Sequence, residues 1–303
     1  MTPSDWARAL VKGSYDLHVH VEPDLLPRKT NDLHLARGFL ALGLKGFVLK
    51  SHYVPTGERA AVIRQVVPGV EVIGAVVLNH SVGGLNPLAV EVAARSGARF
   101  VWLPTVDAAN ELREVSRLPY EGRPQWARLQ DELRSAGLLP PPIEVLDASG
   151  RVKPEVRAIC RVVAKHGMVL ATGHLSRGEI LKVVEVALEE GVRKLVITHP
   201  DYPTQDLPLA DQKFLAAQGV FLERCLAPSW TGKVPWDKLF TTIRNVGVEQ
   251  SFLSTDLGQP KNPPVEDGLA LFADRLREAG FSDEEIKHMA VTVPTYLARG
   301  GEA

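Results

Sequence analysis

Eight short runs rich in β-branched residues, separated by stretches of helical period, constrain this chain more than any other feature of its 303 residues. The runs lie at 15–20, 46–52, 71–79, 99–105, 168–174, 194–199, 220–226 and 250–256. Within them, Gly46-Phe47-Val48-Leu49 and Leu195-Val196-Ile197 are apolar without alternation. That is the pattern of a parallel strand covered on both faces, because a strand with one wet face alternates. The stretches between the runs carry helix boundaries. Ser176 with Glu179 and Ser282 with Glu285 have the spacing of a capping box, and Pro154 sits where a helix takes its first residue. Gly43, Gly97, Gly167, Gly191 and Gly219 fall between a helical stretch and the next strand, where a left-handed helix end favours glycine.

Strands alternating with helices predict an α/β fold with a parallel sheet. Eight is also the number that closes such a sheet into a (β/α)8 TIM barrel of about 250 residues, the remaining length going into insertions. The largest insertion is expected after strand four, over residues 107–167. It reads as two helices around Trp126 and Val156 with a hairpin over 143–152 that turns at Asp147-Ala148-Ser149-Gly150. No composition break or linker divides the chain, so residues 1–303 are expected to form a single domain.

The 35 Lys and Arg balance 36 Asp and Glu, for a net charge of -1. Nucleic-acid and membrane-surface partners both call for a basic excess, which leaves a small-molecule substrate as the expected partner, with homo-oligomers open. Cys160 and Cys225 lie far apart in apolar segments and read as buried, reduced thiols. The first twelve residues lack the apolar core of a signal peptide, and no apolar run approaches the roughly 20 residues of a membrane span. A cytoplasmic protein is the expectation.

Six of the nine histidines, His18, His20, His52, His80, His174 and His199, stand at or just past the C-terminal ends of the proposed strands. In a closed βα barrel that rim is where the active site forms. His34, His166 and His288 fall on helical segments and read as surface or helix-end residues. His18 and His20 are two apart on one strand, which puts both imidazoles on one face, where they suit a transition metal such as zinc or form a satisfied polar pair at a strand end. His174 ends strand five, His199 ends strand six, and Asp256 ends strand eight. Strand eight closes beside strand one, so the Asp256 carboxylate can reach a metal held by His18 and His20 and can accept a proton from a bound water.

In this order and strand placement the sequence resembles the amidohydrolase superfamily of metal-dependent hydrolases over essentially its whole length. The resemblance implies one or two divalent ions, zinc ahead of manganese, iron or nickel, on His18, His20, His174, His199 and Asp256. It also implies a metal-activated water that cleaves an amide, ester or phosphoester bond, with Asp256 and His199 as the catalytic residues. Strand four, Phe100-Val101-Trp102-Leu103-Pro104-Thr105, lacks the lysine or glutamate that bridges two metals in binuclear members.

Strand two offers Lys50 and His52 instead, which share a face with Val48. Lys50 reads as a carboxylated bridging ligand, as an ammonium for a substrate anion, or as the partner of an acidic neighbour. His52 divides between metal ligand, substrate contact and a hydrogen-bonded structural role. Asn79 and His80, ahead of Ser81-Val82-Gly83-Gly84, read as substrate contacts. Glu22, Arg28 and Lys29 lie in a loop that either covers the mouth or is simply solvated. The parity of Glu223 and Arg224 on strand seven stays open, because it depends on a register that sequence does not fix. Two further functions remain beside the hydrolase: a metal-dependent decarboxylase on the same barrel, and a ligand-binding barrel without catalysis.

Overall fold

The computed structural model describes residues 2–299. Its eight parallel strands are β1 (Tyr15–Val19), β2 (Gly46–Leu49), β3 (Glu71–Val77), β4 (Ala98–Trp102), β5 (Val169–Ala171), β6 (Lys194–Ile197), β7 (Phe221–Cys225) and β8 (Ser251–Ser254). They pair in chain order from β1 to β8, with helices packed around the outside. This is the (β/α)8 TIM barrel the alternation predicts. Seven strands lie within their predicted runs and β4 begins one residue ahead of its run; His18 lies within β1, whereas His20, His52, His174, His199 and Asp256 stand just beyond their strands.

Side chains divide into an interior and an outer layer. Tyr15, Leu17, Val48, Phe100, Trp102 and Phe252 pack inside the barrel, while Phe47, Leu49, Val72 and Leu253 pack outward against helices. The C-terminal helix Val293–Arg299 plugs the bottom, with Val293, Leu297 and Ala298 joining the interior core.

One irregularity in β1 decides where the first two histidines point. Tyr15 and Asp16 pair with Gly46 and Phe47, but Val19 then pairs with Leu49, so β1 carries one residue more than β2 over this interval. Such a bulge shifts parity. Tyr15 and Leu17 lie inside, whereas Val19 and Val21 lie outside among the helices. A regular strand would have kept the odd-numbered residues inside and turned His18 and His20 outward.

The seam between β8 and β1 is short and is made just past the strands. Asp256 N donates to His18 O and His20 N to Leu257 O, both at 2.8 Å, around the bridge from Val19 to Leu257. Asp16 adds a side-chain tie, accepting from Thr255 N at 3.0 Å and Thr255 Oγ1 at 2.6 Å. Burial raises the pKa of its carboxyl to about 7 against these bonds.

The excursion after β4 differs from its expected form. The two expected helices are Gln125–Ser135 and Pro154–His166, and a further helix, Ala109–Ser116, precedes them. Pro154–His166 packs beside Pro87–Arg95 and Arg177–Glu189 as a regular barrel helix, so the insertion proper ends before Pro154. The hairpin is reduced to a single antiparallel bridge, Leu146 to Val152, because Asp147 spends its carboxylate on the turn itself, accepting from Ser149 N and Arg151 N. Among the described residues no helix is long and apolar enough to cross a membrane.

Candidate metal centre

From the end of β1 and just past it, His18 and His20 face the barrel mouth, with Asp256 from just past β8 between them. His18 Nε2 and His20 Nε2 each lie 3.1 Å from the same oxygen, Asp256 Oδ1. The two histidine side chains are almost wholly buried, at 0% and 3% exposure. Asp256 holds a φ of 52° and His199 one of 26°. Left-handed backbone is uncommon outside glycine, although Asp, Asn and His enter it more readily than other residues, and its appearance at two strand ends marks geometry imposed by a site.

Glu223, whose parity sequence left open, points inward and supports this group. Its Oε1 accepts from His18 Nδ1 at 3.0 Å and from Ser254 Oγ at 2.8 Å, and its Oε2 accepts from His199 N at 3.3 Å. With Nδ1 committed to a carboxylate, His18 is oriented to present Nε2, the second-sphere arrangement that fixes a metal-ligating imidazole. Arg224 points outward and forms a buried pair with Asp201 at 2.7 Å. His18, Glu223 and Cys225 also cluster, yet that cluster uses the His18 Nδ1 already bonded to Glu223, and burial pushes the Cys225 thiol well above its usual range. It serves as support behind His18.

Five of the six strand-end histidines form a closed ring of imidazoles. Centroid separations are 5.3 Å from His18 to His20, 5.0 Å on to His52, 6.3 Å to His174, 5.1 Å to His199 and 6.2 Å back to His18. His174 is positioned by Gly173, whose φ is +61° and where a Cβ would fall 2.3 Å from Leu103 O. Only glycine fits there. His199 Nδ1 lies 3.1 Å from Gln205 Oε1, an oxygen that only accepts, so Nδ1 carries the proton and Nε2 the lone pair. His52 Nδ1 is hydrogen-bonded to Thr105 Oγ1 at 2.8 Å. Lys50 is 3% exposed, and its Nζ lies 2.9 Å from His18 Nε2.

Electrostatics separate these groups. Burial, with Arg28 next, lowers the pKa of His20 to about 3. Burial also lowers His199 to about 4 and holds His52 and His174 well below the ordinary imidazole range. These four are neutral and hold lone pairs. At His18 burial and Lys50 oppose the charge, but Asp256 and Glu223 outweigh them and raise its pKa to about 9. Burial lowers the pKa of Lys50 as well.

Two expected site residues stand elsewhere, for a physical reason. Asn79 is fully buried, and its amide is spent on the scaffold: Nδ2 donates to His52 O and Thr105 Oγ1, and Oδ1 accepts from Thr105 N. It holds the loop that carries His52. His80 turns to Pro141 O at 2.9 Å, on the insertion, and neither residue lines the cavity over the histidines.

The structure adds other groups. A cavity of about 370 Å³ opens above the ring, and Arg28, Glu111, Tyr202 and Lys233 line it beside the histidines. Glu111 comes from the unexpected helix Ala109–Ser116, lies 3.5 Å from His174 Nδ1, and is raised by burial to a pKa of about 7. A helix of mixed polar sequence inside an insertion gives no sequence signal that one of its acids is buried at a barrel mouth.

The donor set fits a divalent ion. Two imidazole Nε2 atoms and a carboxylate oxygen all lie within 4.8 Å of one another, which is the nitrogen and oxygen chemistry of a zinc-type site. His20 Nδ1 is buried with no hydrogen-bond partner among the described residues.

No curated protein matches the chain by sequence. Solved structures match its fold over nearly the whole chain. An amidohydrolase from Pseudomonas aeruginosa superposes with a TM-score of 0.60 at 11% identity, covering 98% of both chains. The probable dipeptidase PvdM from the same species gives 0.62 at 10% identity, covering 97% of this chain and 96% of that one. An enamidase described as a member of the amidohydrolase superfamily gives 0.55 at 14% identity, covering 99% of this chain and 68% of the other. The barrel is thus the fold found in amidohydrolase-superfamily structures. Residues 13–223, a span that holds the whole histidine ring, match the family described as "Family of unknown function (DUF6282)", and the chain belongs to that family.

Proposed function

We propose that this protein is a metal-dependent hydrolase that uses water to cleave an amide, ester or phosphoester bond of a small molecule. One observation carries the reading: two buried imidazole nitrogens share one carboxylate oxygen, at 3.1 Å each, at the foot of a cavity. The fold shared with an amidohydrolase and a dipeptidase supports it. His18, His20 and Asp256 would hold the ion, zinc first by donor type, and such an ion supplies Lewis acidity and brings the pKa of water down to about 7.

The chain's own groups do the rest. Asp256 accepts the proton of the attacking water and returns it to the leaving group. Glu223 keeps His18 Nε2 directed at the site. His199 and His174, 5.1 Å apart and both neutral, offer nitrogens to the substrate or to a second ion. Two roles fit Lys50, and metal stoichiometry separates them. With two ions, a Lys50 carboxylated by carbon dioxide would help to hold them, burial having already lowered the pKa of its amine. With one ion it binds a substrate oxygen.

A panel of small esters, amides and phosphoesters, turned over in heavy-oxygen water by the metal-loaded protein, tests the reading. Hydrolysis places one solvent oxygen in the product for each bond cleaved. Asp256→Asn is expected to keep the fold, since asparagine tolerates the left-handed backbone, and to lower kcat by at least about 100-fold. Turnover retained in that variant contradicts the role of Asp256, and carbon dioxide released without solvent oxygen uptake identifies a decarboxylase instead.

A further inference from the structure

The loop after β1 carries a cation for which the hydrolytic chemistry above has no use. Arg28 lines the cavity, yet its side chain is only 6% exposed. Asp24, whose side chain is 2% exposed, holds it in place: Arg28 Nε and Nη2 both lie 2.7 Å from Asp24 Oδ2. Its backbone is fixed as well, with Arg28 N donating to Glu22 Oε1 at 3.2 Å. One edge of the guanidinium is thereby spent, and Nη1 has no partner among the described residues. Arg28 shares the cavity wall with His20 and His52.

A second cationic group lies on the side of His199. The ring of Tyr202 packs 5.0 Å from that of His199, and Lys233 Nζ donates to Tyr202 Oη at 2.9 Å. Because the phenol oxygen accepts from the ammonium, its own hydrogen remains to be donated beside the remaining N–H groups of Lys233. Lys233 forms no ion pair among the described residues. With Lys261, three cationic side chains line this small cavity, beside the buried Lys50, against two acids, Asp256 and Glu111. Asp256 is committed to the two histidines.

We propose that Arg28 and the Lys233–Tyr202 pair are recognition groups for the carboxylates of a small dicarboxylate substrate bound in this cavity. Guanidinium is a planar fork matched to carboxylate, and a rigidly held one loses little freedom on binding. One free arginine edge and one ammonium–phenol pair each match two carboxylate oxygens, whereas a phosphate presents more acceptors than either group serves. The cavity is at the small end of the range for ligand sites. This assignment rests on the hydrolase reading for the bond that is cleaved, but it can be tested without cleavage.

Calorimetric titration with linear dicarboxylates from malonate to adipate, with their dimethyl esters and with inorganic phosphate, is carried out on both metal-loaded and chelator-treated protein. At least one dicarboxylate is expected to bind saturably in both forms, more tightly than its diester and more tightly than phosphate. Arg28→Met and Lys233→Met are each expected to weaken it by about 10- to 100-fold, the loss of a charge-assisted hydrogen bond, while Arg28→Lys recovers part of the affinity. Metal content should not change in Lys233→Met, which sits at the rim and keeps the test decisive if Arg28→Met fails to fold. Affinity unchanged in Lys233→Met, a diester that binds as tightly as its acid, or no binding by any dicarboxylate overturns the proposal, and tighter phosphate binding overturns the carboxylate assignment. Dicarboxylate binding that depends on both residues in a protein that takes up no metal leaves the recognition groups standing and removes the hydrolase. Hydrolysis of neutral substrates with no dicarboxylate binding does the reverse.

Discussion

An imidazole has one lone pair to give, and the bond made by its other nitrogen decides where that lone pair points. At His18 that bond runs to Glu223 Oε1, 3.0 Å away inside a fully buried pair. Glu223→Gln keeps an acceptor oxygen and the shape but loses the carboxylate charge, so metal affinity is expected to fall about 10- to 100-fold with little loss of fold. Calorimetric titration with zinc measures it, and an unchanged affinity removes Glu223 from the supporting sphere. At this scale the sequence was informative about histidines and, Asp256 apart, poor about acids. His18, His20, His174, His199 and Asp256 could be picked out as candidates because each falls at or near the C-terminal end of a strand-like run. Glu223 sits within its run, and its direction follows from a register that exists only once neighbouring strands have paired. Asn79 shows the converse: a polar residue at a strand end whose whole hydrogen-bonding capacity goes to the backbone around it.

Among the elements, β1 and its seam with β8 carry the ligand set. The bulge in β1 aims His18 and His20, and the backbone bonds that close the barrel involve His18, His20 and Asp256 themselves. Assembly of the site and closure of the barrel are therefore one event. Gly258 makes the closure possible. It holds a φ of +135°, and a Cβ there would lie 1.7 Å from His20 O. Gly258→Ala is accordingly expected to cost about 1–3 kcal/mol or more and to lower metal content along with Tm. Gly178→Ala is the control, on a helix where an added Cβ meets nothing within 4 Å. Equal Tm values for the two variants contradict the importance of this seam. The strands themselves are legible as apolar runs, since burial on both faces demands such residues. The bulge is not, because adding one residue to one strand leaves composition and period nearly unchanged. The insertion was only partly legible: Ala109–Ser116, ANELREVS, has too few apolar residues to announce a helix, and the Asp147 turn reads as a hairpin although one bridge is all it makes.

For the whole molecule, metal, proton and fold are linked through His18. Its pKa is raised to about 9 from an ordinary 6.5. A raised folded-state pKa means that the His18 proton stabilises the metal-free fold fully below about pH 6.5, and that this contribution is lost as pH rises through about 9. A metal on Nε2 must displace that proton, so its affinity rises with pH over the same window. Zinc is therefore expected to raise Tm more at pH 8.5 than at pH 6 when compared with chelated protein. An equal or smaller gain at the higher pH contradicts the assignment of His18 as a ligand. The most direct test is the divalent metal content of untagged protein, by plasma mass spectrometry, with and without the His18→Ala and His20→Ala substitutions. At least about one ion per chain is expected in the unaltered protein, falling close to zero in both variants. A protein that carries no metal and takes none up on incubation, or variants that retain it in full, would contradict a metal centre on His18, His20 and Asp256.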